Sequence, residues 1–319
     1  MNMGGKVCFV FPGQGSQKVG MGKLLYDNHK VAKDVFDEID DSLNFFLSKI
    51  IFNGPLEKLT ITENTQPALM AVSIAICRII EHESGKTIDQ IVDAVCGHSL
   101  GEYSALCSIN SMSLTDTAQL LKTRGQAMQD STDCKNSKMS AIIGLDVSLI
   151  DKIIEDQRTQ CVCEVANDNC PGQVVLSGMT KDVDNVAEIC LKRGAKRIID
   201  LNVSAPFHCS LMQEASKKMQ IELKNVNLSP PKTIFICNYN AQILREAKKI
   251  REYLIKQIMG RVRWRETLIN LHNIGVKKVI EIGSGKVLTG LSKRMDLNFE
   301  NFNIESMNDI EQFIEGSLK

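Results

Sequence analysis

The 319-residue sequence predicts an α/β protein in which a small β-α-β-β-α-β unit interrupts a larger domain. Two observations carry this. Ile91 to Cys96 is an apolar run that stops at Gly97, and helix formers follow from Glu102 to Leu106, so the stretch reads as strand, tight turn and helix. Farther on the pattern gives strand Met139 to Leu145, helix Ser148 to Gln157, strand Cys161 to Ala166, strand Gln173 to Ser177, helix Lys181 to Lys192 and strand Ala195 to Val203. That order is the ferredoxin-like unit. The larger domain is expected over residues 1–134 and 204–319, with the insert over 135–203; a single continuous α/β sheet is the competing reading.

Composition narrows the class. Hydrophobic residues make up 43% and charged residues 24%, as in an ordinary soluble globular chain. Lys+Arg 38 against Asp+Glu 38 leaves no net charge, so no global field draws the protein to nucleic acid or to an anionic membrane. Eleven cysteines are scattered without a C-x-x-C, and Cys161 with Cys163 on a strand would point the same way, so reduced core thiols are expected. Histidines and cysteines nowhere pair at ligand spacing, and no metal site is expected. The opening MNMGGKVCFVFPG has too short an apolar run for a signal peptide, and no segment approaches a membrane span. A cytoplasmic location is expected, or alternatively a plastid or mitochondrial matrix form lacking its transit peptide.

Taken in order, Lys6 to Phe11 is a short apolar strand running into Pro12-Gly13-Gln14-Gly15-Ser16-Gln17. That loop is neither G-x-G-x-x-G nor a Walker sequence, and a strand-end loop rich in Gly is suited to offering a backbone N–H to a reacting oxygen, with Gln14 the candidate donor. Residues 23–60 read as helices with acidic interruptions. Thr65-Gln66-Pro67 opens a helix that is apolar nearly all round from Ala68 to Ile80, and such a helix is buried, here under the strand before Ser99.

Gly97-His98-Ser99-Leu100-Gly101 is a G-x-S-x-G sequence. A serine on a sharp strand-to-helix turn is held in a strained conformation with its hydroxyl pushed out of the sheet, and small residues on either side let the two arms pass closely. The Leu100 N–H is then placed to bind an oxyanion at a helix N-terminus. The same pentapeptide arises by chance in roughly one chain of this length in ten, so the strand-then-helix context carries the reading. Ser113 to Gln129 is a helix capped by Ser113, and Arg124 falls close to its apolar face. An arginine there is snorkelling, paired, or a clamp for a carboxylate.

Asn167 to Gly172 reads as a turn-rich loop joining two strands of the insert. Of the five histidines, His29 and His82 lie in charged helical surroundings, His98 adjoins the serine and His272 sits on a helix. His208 alone is on a loop at a strand end, just past Pro206, where a base for Ser99 or a structural histidine would fit. Thr233 to Asn238 is another strand and Ile250 to Met259 a helix with Gln257 near its end, followed by the only tryptophan, Trp264. Val276 to Ile282 is the last expected sheet strand, and Gly283-Ser284-Gly285-Lys286 opens the helix Val287 to Met295 as a phosphate loop or, more simply, a tight turn.

Six stretches together, FVFPGQGSQ at Phe9, GHSLGEYSAL at Gly97, Arg124-Gly125, NDNCPGQVVLSG at Asn167, PFHCSLM at Pro206 and EIGSGKVLTGL at Glu281, resemble the malonyl-CoA:acyl carrier protein transacylases of type II fatty acid synthesis. The resemblance runs through nearly the whole chain. It implies an α/β-hydrolase-like core with a parallel sheet carrying the ferredoxin-like insert. It implies Ser99 as nucleophile, His208 as base, Gln14 and Leu100 N–H groups as oxyanion hole, and Arg124 paired with the malonyl carboxylate. The Gln257 main-chain carbonyl would orient His208 in place of a third acidic residue. His98, Asn167 and Phe207 would line the substrate site, with Phe207 favouring malonyl over methylmalonyl; Gly260 and Arg261 depart from the family's usual residues after that helix.

The resemblance further implies ping-pong transfer through a serine ester from malonyl-CoA to the phosphopantetheine thiol of acyl carrier protein, with no cofactor, no nucleic acid or membrane partner, and a monomer. An acidic carrier needs a basic surface, for which Lys192, Arg193, Lys196, Arg197 and Lys286 are candidates, solvated charge being the plainer reading. A serine hydrolase, a polyketide acyltransferase with another extender unit, and an idle carrier-docking scaffold are the rival functions.

Overall fold

The computed structural model describes residues 5–131, 136–157 and 162–317. Cys161 and the expected boundary between residues 134 and 135 lie outside the described residues. The strands are β1 (Lys6–Phe11), β2 (Ala94–Gly97), β3 (Ser137–Ile143), β4 (Cys163–Cys170), β5 (Gln173–Met179), β6 (Arg197–Asp200), β7 (Ile234–Ile236), β8 (Ile243–Leu244), β9 (Val276–Ile282) and β10 (Glu300–Ile304). They form two sheets. One is six-stranded in the order β10-β9-β1-β2-β7-β8, parallel except for the terminal β7–β8 pair. The other is four-stranded in the order β4-β5-β3-β6 and antiparallel throughout. The single continuous sheet is therefore excluded.

The parallel sheet is covered on both faces, which is why its strands read as unbroken apolar runs. Alternate residues divide between two cores. Val7, Phe9, Phe11 and Val95 face helices that include Thr62–Ser84 and Leu114–Asp130, while Cys8, Val10 and Cys96 face Trp264, Leu268 and Leu288 on the other side. In the small sheet, helices Val147–Gln157 and Thr180–Lys192 cover Ile142 and Leu176, and the opposite face gives Met139, Ala141 and Val175 to the large core. Nine cysteines among the described residues are buried free thiols. Among the described residues no helix is long and apolar enough to cross a membrane.

Several expected boundaries shift for identifiable reasons. The strand before the elbow starts at Ala94, not Ile91, because a capping box between Thr87 and Gln90 winds Ile88–Ile91 into a helical turn. The long buried helix starts at Thr62, so Thr65 is inside it and not its cap; Thr65 Oγ1 donates back to the Leu59 carbonyl at 2.6 Å. That helix packs mainly on Leu114–Asp130 and Lys30–Leu43 and less on the helix after the elbow, and it reaches the sheet at β9, where Ser73 Oγ donates to the Ile282 carbonyl at 2.8 Å. Val276–Ile282 is not the last strand, since β10 pairs outside it.

Asn167 to Cys170 is strand and not loop: β4 continues through it with two register irregularities, and only Pro171-Gly172 turns. Val262 stabilises this extension from outside the small sheet. Its N–H donates to the Ala166 carbonyl at 2.8 Å and its carbonyl accepts the Asp168 N–H at 3.0 Å. Asp168, 1% exposed, pairs with Arg265 at 2.8 Å. The small sheet is thus tied by backbone to the segment between the helices Ala247–Gln257 and Trp264–Asn273.

At the elbow, a Cβ on Gly97 would lie 2.0 Å from the Gly101 carbonyl, and one on Gly101 would lie 2.2 Å from the Phe11 carbonyl oxygen. Both contacts are with backbone, which has nowhere to move. Gly101→Ala is expected to cost more than about 3 kcal/mol by forcing β1 and the elbow apart, read as a fall in the urea midpoint against wild type.

Candidate active site

Ser99 sits at φ 54, the left-handed region that a non-glycine residue enters only when its surroundings impose it. Its N–H donates to Asn238 Oδ1 at 2.7 Å, and Asn238 Nδ2 donates to the Gly97 carbonyl at 2.8 Å, so one side chain clasps the turn on both sides. His208, at φ 60, reaches it from the loop after β6. Ser99 Oγ and His208 Nε2 are 2.7 Å apart, and His208 Nδ1 is 2.8 Å from the Gln257 carbonyl oxygen. A carbonyl only accepts, so Nδ1 carries the proton and Nε2 is left free to accept from the serine hydroxyl.

Arg124 is 1% exposed. Nη1 donates to Gln66 Oε1 at 2.7 Å, and Nη2 donates to Gln257 Oε1 at 2.8 Å and to Ser99 Oγ at 3.1 Å. Among the described residues no carboxylate pairs with it. Burial pulls its pKa down, while Tyr103 and Glu102 pull it back. Burial and then the Arg124 charge push His208 down to about 3, with the Gln257 carbonyl opposing, so the imidazole is neutral at rest.

A cavity of about 230 Å³ opens on these groups, lined among others by Gln14, Leu100, Asn167, Phe207 and both reacting side chains. The structure therefore brings every candidate site residue but Gln257 to the cavity wall, and Gln257 lies fully buried behind it. Asn167 does so from a strand. His98 lines the cavity while its Nε2 is tied to Asn169 Oδ1 at 2.9 Å and its ring stands 5.7 Å from that of Trp264. The backbone N–H groups of Gln14 and Leu100 carry no hydrogen bond among the described residues, which leaves both available to a substrate oxygen.

Other candidates separate from this site. The Gly283–Lys286 turn is closed to phosphate by the protein's own carboxylates: Glu281 accepts the N–H groups of Leu288 and Thr289 at 3.1 and 2.7 Å, and Glu305 accepts that of Gly285 at 3.1 Å. Lys192, Arg193, Lys196, Arg197 and Lys286 are all exposed. His29, His82 and Glu83 come together with ligand-type atoms within 4.8 Å, a grouping invisible to spacing along the chain. His29 Nδ1 is buried there without the partner that a ligating imidazole ordinarily keeps.

Sequence reasoning missed Asn238, Gln66 and Glu102 as site residues. The available signal was polarity at buried places: Asn238 follows β7 by two residues and Glu102 lies in the first turn of the elbow helix, and neither is exposed.

A serine on a strand-to-helix elbow, hydrogen-bonded to an oriented neutral imidazole and facing free N–H donors, defines an enzyme that carries an acyl group on serine. Residues 8–295 match the family described as acyl transferase domain. The chain is 40% identical to the malonyl CoA-acyl carrier protein transacylase of Bacillus subtilis (strain 168), over 97% of this chain and 96% of that protein. Among solved structures, the acyl-carrier-protein-S-malonyltransferase of Bartonella henselae superposes with a TM-score of 0.94 at 45% identity, covering 98% of this chain and 99% of the other. A malonyl-transacylase solved in complex with its type II PKS acyl-carrier protein superposes at 0.93 with 35% identity, covering 98% and 99%. The chain belongs to the malonyl CoA-acyl carrier protein transacylase family of acyl transferases.

His208 also makes stability depend on pH. Its folded pKa lies below the ordinary 6.5, so the native state binds fewer protons than the unfolded chain between about pH 6.5 and 3. The stability it contributes above that window is lost as pH falls through it, at up to about 1.4 kcal/mol per unit. His208→Gln is expected to flatten the acid side of a stability–pH curve measured by urea unfolding; an unchanged slope would show that the imidazole is not buried neutral.

Proposed function

We propose that the protein transfers a malonyl group from malonyl-CoA to the phosphopantetheine thiol of acyl carrier protein through an ester on Ser99, supplying extender units for fatty acid synthesis. The observation that carries this is Arg124: a buried guanidinium with no carboxylate partner among the described residues, 3.1 Å from the nucleophile. Such a group is matched to an acyl chain that ends in a carboxylate. A simple ester hydrolase has no use for it.

The steps follow from the geometry. Ser99 Oγ attacks the thioester carbonyl as its proton passes to His208 Nε2. The developing oxyanion is received by the Gln14 and Leu100 N–H groups. The C–S bond then breaks, and the CoA thiolate takes the proton from His208. In the second half the carrier thiol gives its proton to His208 and attacks the ester, the C–O bond to Ser99 breaks, and His208 returns the proton to Ser99 Oγ. The Gln257 carbonyl holds the imidazole in one tautomer through both halves. Every bond and proton is accounted for by these groups and the two substrates, so the transfer calls for no resident cofactor, and we read the enzyme as a monomer.

Phe207, 7% exposed beside His208, narrows the cavity against a branched acyl group, and Asn167 and His98 complete its wall. The order β4-β5-β3-β6 with two covering helices supports reading residues 135–203 as a ferredoxin-like insert, and the elbow on a parallel sheet supports an α/β-hydrolase-like core over 1–134 and 204–319. The exposed basic residues near 192–197, with Lys286, are assigned to the acidic carrier.

Intact mass after brief exposure to malonyl-CoA or acetyl-CoA tests the reading. Wild type is expected to gain a malonyl ester, Ser99→Ala none, and Arg124→Ala to lose about 100-fold in preference for malonyl over acetyl. A folded wild type that takes no malonyl group sinks the transfer reading.

A further inference from the structure

Glu102 is a carboxylate 1% exposed, and the transfer steps above give it no part. Its two oxygens receive two different donors. Oε1 accepts the Asn238 N–H at 2.6 Å, and Oε2 accepts from Gln257 Nε2. Each donor residue passes the contact on to a reacting group. Asn238 clasps the elbow through the Ser99 N–H and the Gly97 carbonyl. Gln257 donates from Nε2 to the Ser99 carbonyl at 2.9 Å, accepts from Arg124 Nη2 at Oε1, and accepts from His208 Nδ1 at its main-chain oxygen. The Gln257 amide therefore stands between a carboxylate and a guanidinium with its N–H toward the first and its C=O toward the second, the orientation in which its dipole favours both charges.

We propose that Glu102 is a positioning residue, ionised in the working enzyme, that fixes the elbow through Asn238 and the His208 acceptor through Gln257 and balances Arg124 until the substrate carboxylate arrives. The proposal rests on the malonyl-transfer reading. Both oxygens face N–H donors, so a protonated acid would set an O–H against one of them. Burial pushes the carboxyl up to about 8, against the pull of the Asn238 N–H, the Gln257 amide and Arg124. Three other titratable groups around it keep their charge in that region, and a fourth is shifted down. Tyr103 on the same helix and Cys237 after β7 are both held up at about 12, His208 is pushed down to about 3, and burial lowers His98. Arg124 faces it as a fixed positive charge. Comparison of wild type with Glu102→Gln separates the Glu102 step from any that His98 contributes.

The experiment is single-turnover formation of the Ser99 ester from malonyl-CoA, followed by quenched-flow mass measurement from about pH 5 to 9, in wild type, Glu102→Gln and Glu102→Asp. Wild type is expected to slow toward acid with a one-proton limb above the ordinary carboxylate range. Glu102→Gln is expected to form the same ester about 100-fold more slowly and without that limb, because one oxygen has become a donor facing a donor. Glu102→Asp should recover part of the rate and the limb. A wild-type profile flat down to pH 5, or a Glu102→Gln variant that keeps the limb, overturns the proposal while leaving malonyl transfer intact. Should Glu102→Gln fail to fold, the wild-type profile decides. No ester from wild type at any pH sinks both readings.

Discussion

Gln257 is the residue on which the rest of the site hangs. Its main-chain oxygen holds His208, its side-chain oxygen holds Arg124, and its side-chain nitrogen holds the Ser99 carbonyl and Glu102. One residue, fully buried at the end of a helix, thereby sets three reacting groups at once. In place of a carboxylate behind the histidine, the protein uses a neutral carbonyl there and keeps its buried carboxyl, Glu102, one residue farther away. The consequence is an imidazole that has no adjacent anion to favour its protonated form, beside a guanidinium that disfavours it.

The second constraint is the passage of backbones at the elbow. Gly97, Gly101 and β1 approach so closely that no side chain fits, and this packing, with the Asn238 clasp, imposes the left-handed backbone of Ser99. The backbone tie of the small sheet runs through the segment just after Gln257. Val262, five residues after Gln257, is hydrogen-bonded to β4, so the segment that orients the base also anchors the small sheet that supplies Asn167 to the cavity wall.

What was legible in the sequence followed from local demands. The elbow forces glycines at fixed offsets, the parallel strands force apolar runs, and the βαββαβ pattern repeats its own periodicities, so Ser99, β1, β9 and the order of the insert could be read directly. Arg124, His208 and Gln257 were legible as roles only through the family resemblance, since nothing local separates them from structural residues. Asn238 and Glu102 were not legible, because their contacts span more than a hundred residues and their neighbours look ordinary. Asn167 to Cys170 misled for the opposite reason: its Asn and Asp side chains look like a turn, but they lie on a strand held by Val262 and by the Arg265 pair with Asp168. The edge strand β10 is only half buried, and so lacked the apolar run that marks its neighbours.

The resting neutrality of His208 bears on how the second half begins. An uncharged imidazole can accept a proton as soon as a thiol arrives, and a thiol, at about 8.5, yields one far more readily than water, at about 15.7, whatever the base. In the first half the harder proton is the serine's, and there Arg124 bonds the oxygen that is losing it. The preference for sulfur over water in the second half thus lies in the acidity of the incoming group, and the ring's part is to reach that step with an empty nitrogen.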